Sequence, residues 1–458
     1  MNKYIALIFT ALMLSVNVVS AKTADEKIAE AMNSSDWFAL DSLYRTEPKD
    51  SISDFLEIYS RCLLGNRLNR PDVSIPAFGE LFNTQSSNLD LGLLLASAQM
   101  FSMDLSRTGD NEKAAKVLSS VLDATRDYLV QLDSTAVNRM QRQIDQYTAL
   151  SAFRPYGISI SEGSDGSVPF RIIPVGPEEK GGVLMHLSDS HINGFAADIT
   201  FDTGAGANVI SSELAQKFGL VPLDAKTKAW GEGAQYGEYA IAKELKIGNI
   251  TVTDVPFYVM DFSTGNETAD EYGEYFSVVV GSELMLQLKE LTIDFDNSRI
   301  TVPHEAPQRS EAYPNMCFSQ SMNLLAESVV HGTPVLMLVD TGNASYGYLG
   351  QPFYESNKEF IASTGSLETV RTAGFGGVNA LQCYRVPGLE CQLGGSSVVL
   401  PSIDVHIEPA QADEKSEHLI GLKSLMLFGT VHFNMTDFTV TTSPTKQVSS
   451  PHRIRMVY

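Results

Sequence analysis

The sequence predicts an α+β chain of several domains, in which an N-terminal α-helical region precedes a mainly-β pair of lobes. Three observations predict it. Residues 22–150 place apolar side chains at helical spacing. The tripeptide Asp-Thr-Gly occurs twice, at 202–204 and 340–342, each time at the end of an apolar run. The surroundings of the two copies correspond feature by feature, which describes an internal duplication with a period of about 140 residues, too long for a solenoid.

From the N-terminus, Met1-Asn2-Lys3, the apolar run Tyr4 to Val16 and Val19-Ser20-Ala21 read as a secretory signal over residues 1–21, cleaved after Ala21. The apolar core is short for a membrane span, so an uncleaved anchor is the lesser reading, and no integral membrane segment is expected after cleavage. Residues 22–150 form the helical domain. Its apolar positions include Ile28, Trp37-Phe38, Leu40, Leu43-Tyr44, Phe55, Ile58-Tyr59 and Leu63, with breaks expected at Pro48, Pro71 and Pro76. Leu91 to Met103 predicts a further helix. Thr108-Gly109-Asp110 predicts a cap before the next, and Ala136 to Leu150 the last. Residues 151–170 are expected to be a linker, rich in Gly and Ser around 161–167.

The two lobes are expected at 171–302 and 317–445, separated by a proline-bearing linker at 303–316 and followed by a tail at 446–458. Eight residues before each Asp lies a turn glycine, Gly194 in Asn193-Gly194 and Gly332 in His331-Gly332. Each Asp should therefore end the second strand of a hairpin. Glycine-rich stretches follow, Gly231-Glu232-Gly233 and Gly374-Phe375-Gly376-Gly377, which read as hairpin tips. Apolar runs then close on glycine, Val278 to Gly281 and Leu419 to Gly421, at 79 and 81 residues from their respective Asp. The strands Thr292 to Asp296 and Thr430 to Asn434 close the correspondence.

These residues resemble the aspartic proteases. The wording from Phe201-Asp202-Thr203-Gly204-Ala205 through Val209-Ile210-Ser211 to Phe218-Gly219-Leu220 is most similar to the retropepsin-like branch found in bacterial envelopes. The resemblance covers about residues 166–445 and implies a bilobal aspartic-protease fold with catalytic Asp202 and Asp340 at the floor of a cleft. It implies that Thr203, Gly204, Thr341 and Gly342 support the pair, with the two Thr hydroxyls cross-linking the loops. It also implies that the glycine-rich hairpins cover substrate, through Trp230, Gly231, Gly233, Gly374, Phe375 and Gly376. Trp230 and Phe375 read equally as substrate contacts or as cover for the hairpins. Trp230 and Tyr236 are alternative candidates for the flap tyrosine position of pepsin-like enzymes.

Two carboxylates about 3 Å apart cannot both ionise, so they share a proton and one serves as base while the other serves as acid. A water between them then attacks a peptide carbonyl, with no metal or cofactor expected. The scattered His and the lack of His-Glu-x-x-His, Cys-x-x-Cys and Gly-x-Ser-x-Gly agree with that chemistry. After each triplet stand Ala205 and Asn343, where many two-lobed relatives have a hydroxyl donor. Loss of a donor to the ionised form raises a carboxyl pKa, so an optimum in the weakly acid to neutral range is expected.

The reading is thus an aspartic endopeptidase, secreted or periplasmic, acting on peptide or protein and monomeric in its catalytic unit because one chain supplies both carboxylates. The alternative is a catalytically inactive two-lobed peptide-binding or structural protein of the envelope. A formal net charge of −22 argues against nucleic acid as a partner. The helical region resembles tetratricopeptide repeats and is a candidate for binding a protein partner, presenting substrate or inhibiting sterically. It carries 13 Lys and Arg against 19 Asp and Glu, a net of −6, unlike the basic prosegments of pepsin-type zymogens. The four Cys are too few for a disulfide scaffold. Cys383 and Cys391 stand eight residues apart, roughly 26 Å along a strand and beyond disulfide reach unless Pro387-Gly388 folds the chain back, so free, mostly buried thiols are expected.

Overall fold

The computed structural model describes residues 22–132, 134–176, 181–230, 234–261, 267–374, 377–408 and 418–444. The expected signal segment and the whole of the expected tail lie outside the described residues, as do the hairpin tips Gly231, Gly233, Phe375 and Gly376.

Residues 24–150 are helical: α1 (Ala24–Asn33), α2 (Trp37–Thr46), α3 (Asp54–Arg67), α4 (Pro71–Thr84), α5 (Leu91–Arg107), α6 (Asn111–Leu132) and α7 (Ser134–Leu150). Their starts follow from the sequence. Thr23 and Glu26 form a reciprocal capping box, Asp36 and Asp90 accept from Ala39 and Leu93 N–H, and Pro71 opens α4 at a position that needs no donor. Pro76, expected to break a helix, instead lies inside α4. The bond it forfeits falls in the N-terminal part of the helix, and the fully buried Ala77, Phe78 and Leu81 hold the segment against the core. Helices α3 and α4 cross closely, since a Cβ on Gly65 would lie 2.5 Å from that of Ser74. The buried Asp104 carboxylate accepts from Asn66 (2.8 Å) and Ser74 (2.5 Å) and pairs with Arg107, tying α3, α4 and α5 together.

The remainder is mostly β, in two sheets of 15 and 10 strands among the described residues. The strand Gly157–Ile160, within the segment expected as a linker, and Gly166–Val175, which begins in it and runs into the expected first lobe, belong to the larger sheet. Asn193 and Gly194 (φ 51° and 84°), and likewise His331 and Gly332 (φ 48° and 76°), adopt the positive φ pair of a type I′ hairpin. The second-lobe hairpin runs unbroken from Thr333 to Asp340. In the first lobe the second strand is interrupted after Ala196 and resumes at Ile199 on a different neighbour, the strand Gly182–Leu187.

Behind each Asp the two lobes repeat one construction. The strand entering Asp202, Ile199–Phe201, pairs in parallel with Val278–Val280, and Thr333–Asp340 pairs in parallel with Leu419–Gly421. Val209–Ser211 and Gly347–Leu349 pair antiparallel with those same partners. The lobes are joined at Glu290–Asp294, which pairs antiparallel with Thr430–Asn434, so the corresponding strands of the duplication meet each other.

The helical region is seated on this framework. Arg67 donates to Ser319 O (2.6 Å), Asn69 to Met435 O (2.8 Å), and the Arg107 guanidinium lies over Phe318. Leu150 and Phe153, at and just beyond the end of α7, pack on Leu223 and Ile241 of the hairpin formed by Val221–Trp230 and Ala234–Ile247. The four thiols are free and buried. Among the described residues no helix is long and apolar enough to cross a membrane.

Candidate active site

The strand ends deliver Asp202 and Asp340 to one place. Each Asp accepts through Oδ1 from two main-chain N–H groups of its own loop. Gly204 (2.9 Å) and Ala205 (3.0 Å) donate to Asp202, and Gly342 (2.8 Å) and Asn343 (3.0 Å) donate to Asp340. These are tight turns in which the side chain faces back over the two residues after it, and they fix both carboxyl planes.

The threonines do for the loops what the main chain does for the carboxyls. Thr203 Oγ1 donates to Val339 O (2.5 Å) and accepts from Thr341 N (3.0 Å). Thr341 Oγ1 donates to Phe201 O (2.6 Å) and accepts from Thr203 N (3.0 Å). Both are buried, so this reciprocal exchange satisfies two N–H and two C=O groups that would otherwise be orphaned at the lobe interface. It also sets the distance between the loops. A Cβ on Gly204 would stand 2.5 Å from Asp340 Cγ, and one on Gly342 would stand 2.2 Å from Asp202 Cγ. Each lobe's glycine therefore makes room for the other lobe's carboxyl.

Burial raises the pKa of Asp202, with the hydrogen bond from Asp340 and the loop N–H groups opposing it. Burial raises Asp340 well above the usual range, and the Asp202 charge raises it further. The pair thus holds one proton between two carboxyls at a pH where isolated Asp would have lost both. Ala205 offers no hydroxyl. The Asn343 amide oxygen accepts from Ser345 N (3.0 Å) and Oγ (2.7 Å), and the amide makes no hydrogen bond to Asp340. Main-chain donors are what the dyad has from the residues after each triplet.

Of the residues expected over the cleft, Trp230 ends the strand Val221–Trp230 and Gly374 ends Ser366–Gly374. Trp230 pairs with Ala234 and Gly374 with Gly377, so the strands on either side of each glycine-rich stretch pair with each other. Asn208 was not singled out from the sequence. It is fully buried and accepts from Gly281 N (3.0 Å), where the second lobe uses Tyr346 O to meet Gly421 N (3.1 Å). The signal was a mismatch between the halves, Asn against Tyr at the sixth residue after each Asp.

Residues 189–283 match the family model described as aspartyl protease, a segment that runs from before Asp202 to just past Gly281. Among solved structures, the chain is similar to an aspartic proteinase from Irpex lacteus at 11% identity, covering 63% of this chain and 99% of that one, with a TM-score of 0.39. No curated protein matches the chain.

Proposed function

We propose that this chain is an aspartic endopeptidase in which Asp202 and Asp340 activate a water between them for attack on a peptide carbonyl. The observation that carries it is the pair itself: two carboxyls from two lobes, held by four loop N–H groups and a reciprocal Thr exchange, with raised pKa values. The ionised member takes the proton of the water, and the protonated member donates to the carbonyl oxygen as charge develops there. Thr203, Gly204, Thr341 and Gly342 hold the geometry. Trp230, Gly231, Gly233, Gly374, Phe375 and Gly376 are proposed to line the substrate side of the two hairpins.

With no side-chain donor from Ala205 or Asn343, the optimum belongs in the weakly acid to neutral range. The same proposal includes export through the apolar N-terminal segment to the periplasm or exterior. It also includes a catalytic unit that works as a monomer and a helical region available to a protein partner.

The test is cleavage of a peptide library by the purified chain from about pH 3 to pH 8. Asp202→Asn and Asp340→Asn should each abolish cleavage while leaving far-UV circular dichroism unchanged, because Asn keeps the loop hydrogen bonds but can be neither the base nor the shared acid. Binding of the same peptides without cleavage by wild type would instead favour a two-lobed peptide-binding protein.

A further inference from the structure

Behind the Asp202 loop the duplication is broken in a specific way. Asn208 accepts from Gly281 N, and its Nδ2 donates to Pro256 O (3.1 Å) and to the Tyr156 hydroxyl (3.0 Å). The Tyr156 hydroxyl in turn donates to Glu283 Oε2 (2.7 Å). Glu283 stands two residues after Gly281, where the second lobe has Lys423 two residues after Gly421. Lys423 lies over the Tyr346 ring and donates to Gly181 O, an unrelated arrangement.

Tyr156 belongs to neither repeat. It lies between α7 and the strand Gly157–Ile160, at φ 62°, a strained conformation for a bulky side chain. Such a residue persists where its surroundings over-determine it, and here both hydroxyl roles are taken, acceptor from Asn208 and donor to Glu283. The helix Ser282–Leu288 is also bound to the front of the same loop, since Ser282 N (2.8 Å) and Oγ (3.0 Å) both donate to Ala205 O. The Asp202 loop is therefore held from one side by Ser282 and from the other by Asn208, and the Asn208 amide is oriented by Tyr156.

We propose that Tyr156, Asn208 and Glu283 are positioning residues for the Asp202 loop, a relay through which the segment leaving the helical region fixes one half of the dyad. The proposal rests on the proteolytic reading above for its effect on turnover, though not for its effect on the loop. Tyr147 of α7 and Tyr239 of the hairpin strand Ala234–Ile247 feel the Glu283 charge, with Arg107 and Asp104 beyond Tyr147. Among the described residues no cation pairs with Glu283. Burial pushes its carboxyl up to about 6, and the Tyr156 hydroxyl opposes that rise. Above that pH the relay holds a half-buried carboxylate with one hydroxyl donor, and local opening of the loop becomes easier.

Hydrogen exchange of the full chain, read in peptides spanning 203–208, tests this. In Tyr156→Phe, exchange there should rise about tenfold while the interlobe strands Glu290–Asp294 and Thr430–Asn434 keep wild-type protection. The kcat should fall about tenfold with KM within about twofold, the mark of a misplaced catalytic group. Exchange within about twofold of wild type at 203–208, or acceleration everywhere alike, overturns the relay. Should Tyr156→Phe not fold, the pH dependence of exchange with and without Glu283→Gln decides. Because Asp202 titrates within the same loop, the comparison is made in the Asp202→Asn, Asp340→Asn background, where protection of 203–208 should fall as pH rises through about 6 with Glu283 present and lack that step in Glu283→Gln. The same step in both proteins overturns the proposal. A wild type that cleaves nothing removes the proteolytic reading, and the exchange results still decide the relay.

Discussion

Gly204 and Gly342 are not interchangeable with any other residue, because the space a Cβ would need is filled by the opposite lobe's carboxyl. Gly342→Ala should therefore cost about 1–3 kcal/mol as an overpacked site, and it should lower kcat/KM far more than its stability loss explains. Urea unfolding beside cleavage rates checks this. The dyad's protonation makes a second prediction. Both Asp have folded pKa values raised above the unfolded value of 3.8. Their stabilising contribution is thus fully present below that pH and lost as pH rises through the folded values. The double variant Asp202→Asn, Asp340→Asn should be more stable than wild type near neutral pH, and the gap should narrow towards about pH 4. Equal gaps in thermal midpoint at both pH values would show that ionising the pair does not destabilise the fold. At this scale the two triplets were legible, since Asp-Thr-Gly after an apolar run is a local pattern. Asn208, Tyr156 and Glu283 were not, because their contacts join positions up to 127 residues apart through side chains that are ordinary in their own neighbourhoods.

Among the elements, α7 and the first glycine-rich hairpin depend on each other. Leu150 is buried against Leu223 and Ile241. Leu150→Ala should cost about 2–4 kcal/mol and should speed amide exchange in Val221–Trp230 while leaving Ser366–Gly374 unchanged. Equal effects on both hairpins would mean that α7 does not brace the first one specifically. The turns were readable because Asn-Gly and His-Gly supply positive φ cheaply, and the start of α6 was readable because Asp110 stands where its first turn needs an acceptor, for Lys113 N. The interruption after Ala196 was not, since the residues 195–201 alternate no differently from a continuous strand and the change of neighbour is decided by the sheet. Pro76 misled for the opposite reason: a strong local rule yielded to the burial of Ala77, Phe78 and Leu81.

For the whole molecule, the internal duplication announced two lobes, and the offset of 138 residues between Thr203 and Thr341 is the offset of their exchange. The seating of the helical region was beyond the sequence. Arg67 and Asn69 reach main-chain carbonyls of Ser319 and Met435, and any residue could have supplied those acceptors. Buried residues of α1–α4, Met100 of α5 and both lobes form one continuous core, and the separate cluster of α6 and α7 meets it through Phe82 and Phe101, so unfolding should be a single cooperative transition. Far-UV circular dichroism and the fluorescence of Trp37, read in a Trp230→Phe variant, should give coincident urea midpoints. Separate midpoints would divide the core. The pairing of Glu290–Asp294 with Thr430–Asn434 also has a consequence in time. A chain growing at about 5–20 residues per second makes the second strand on the order of ten seconds after the first. Through that interval the first lobe carries an open edge and a lone Asp202, so the nascent polypeptide is sticky but harmless. On the proteolytic reading proposed above, competence to cut would arrive only once the second lobe has been made through Thr430–Asn434, delaying any attack on neighbouring chains until synthesis is nearly finished.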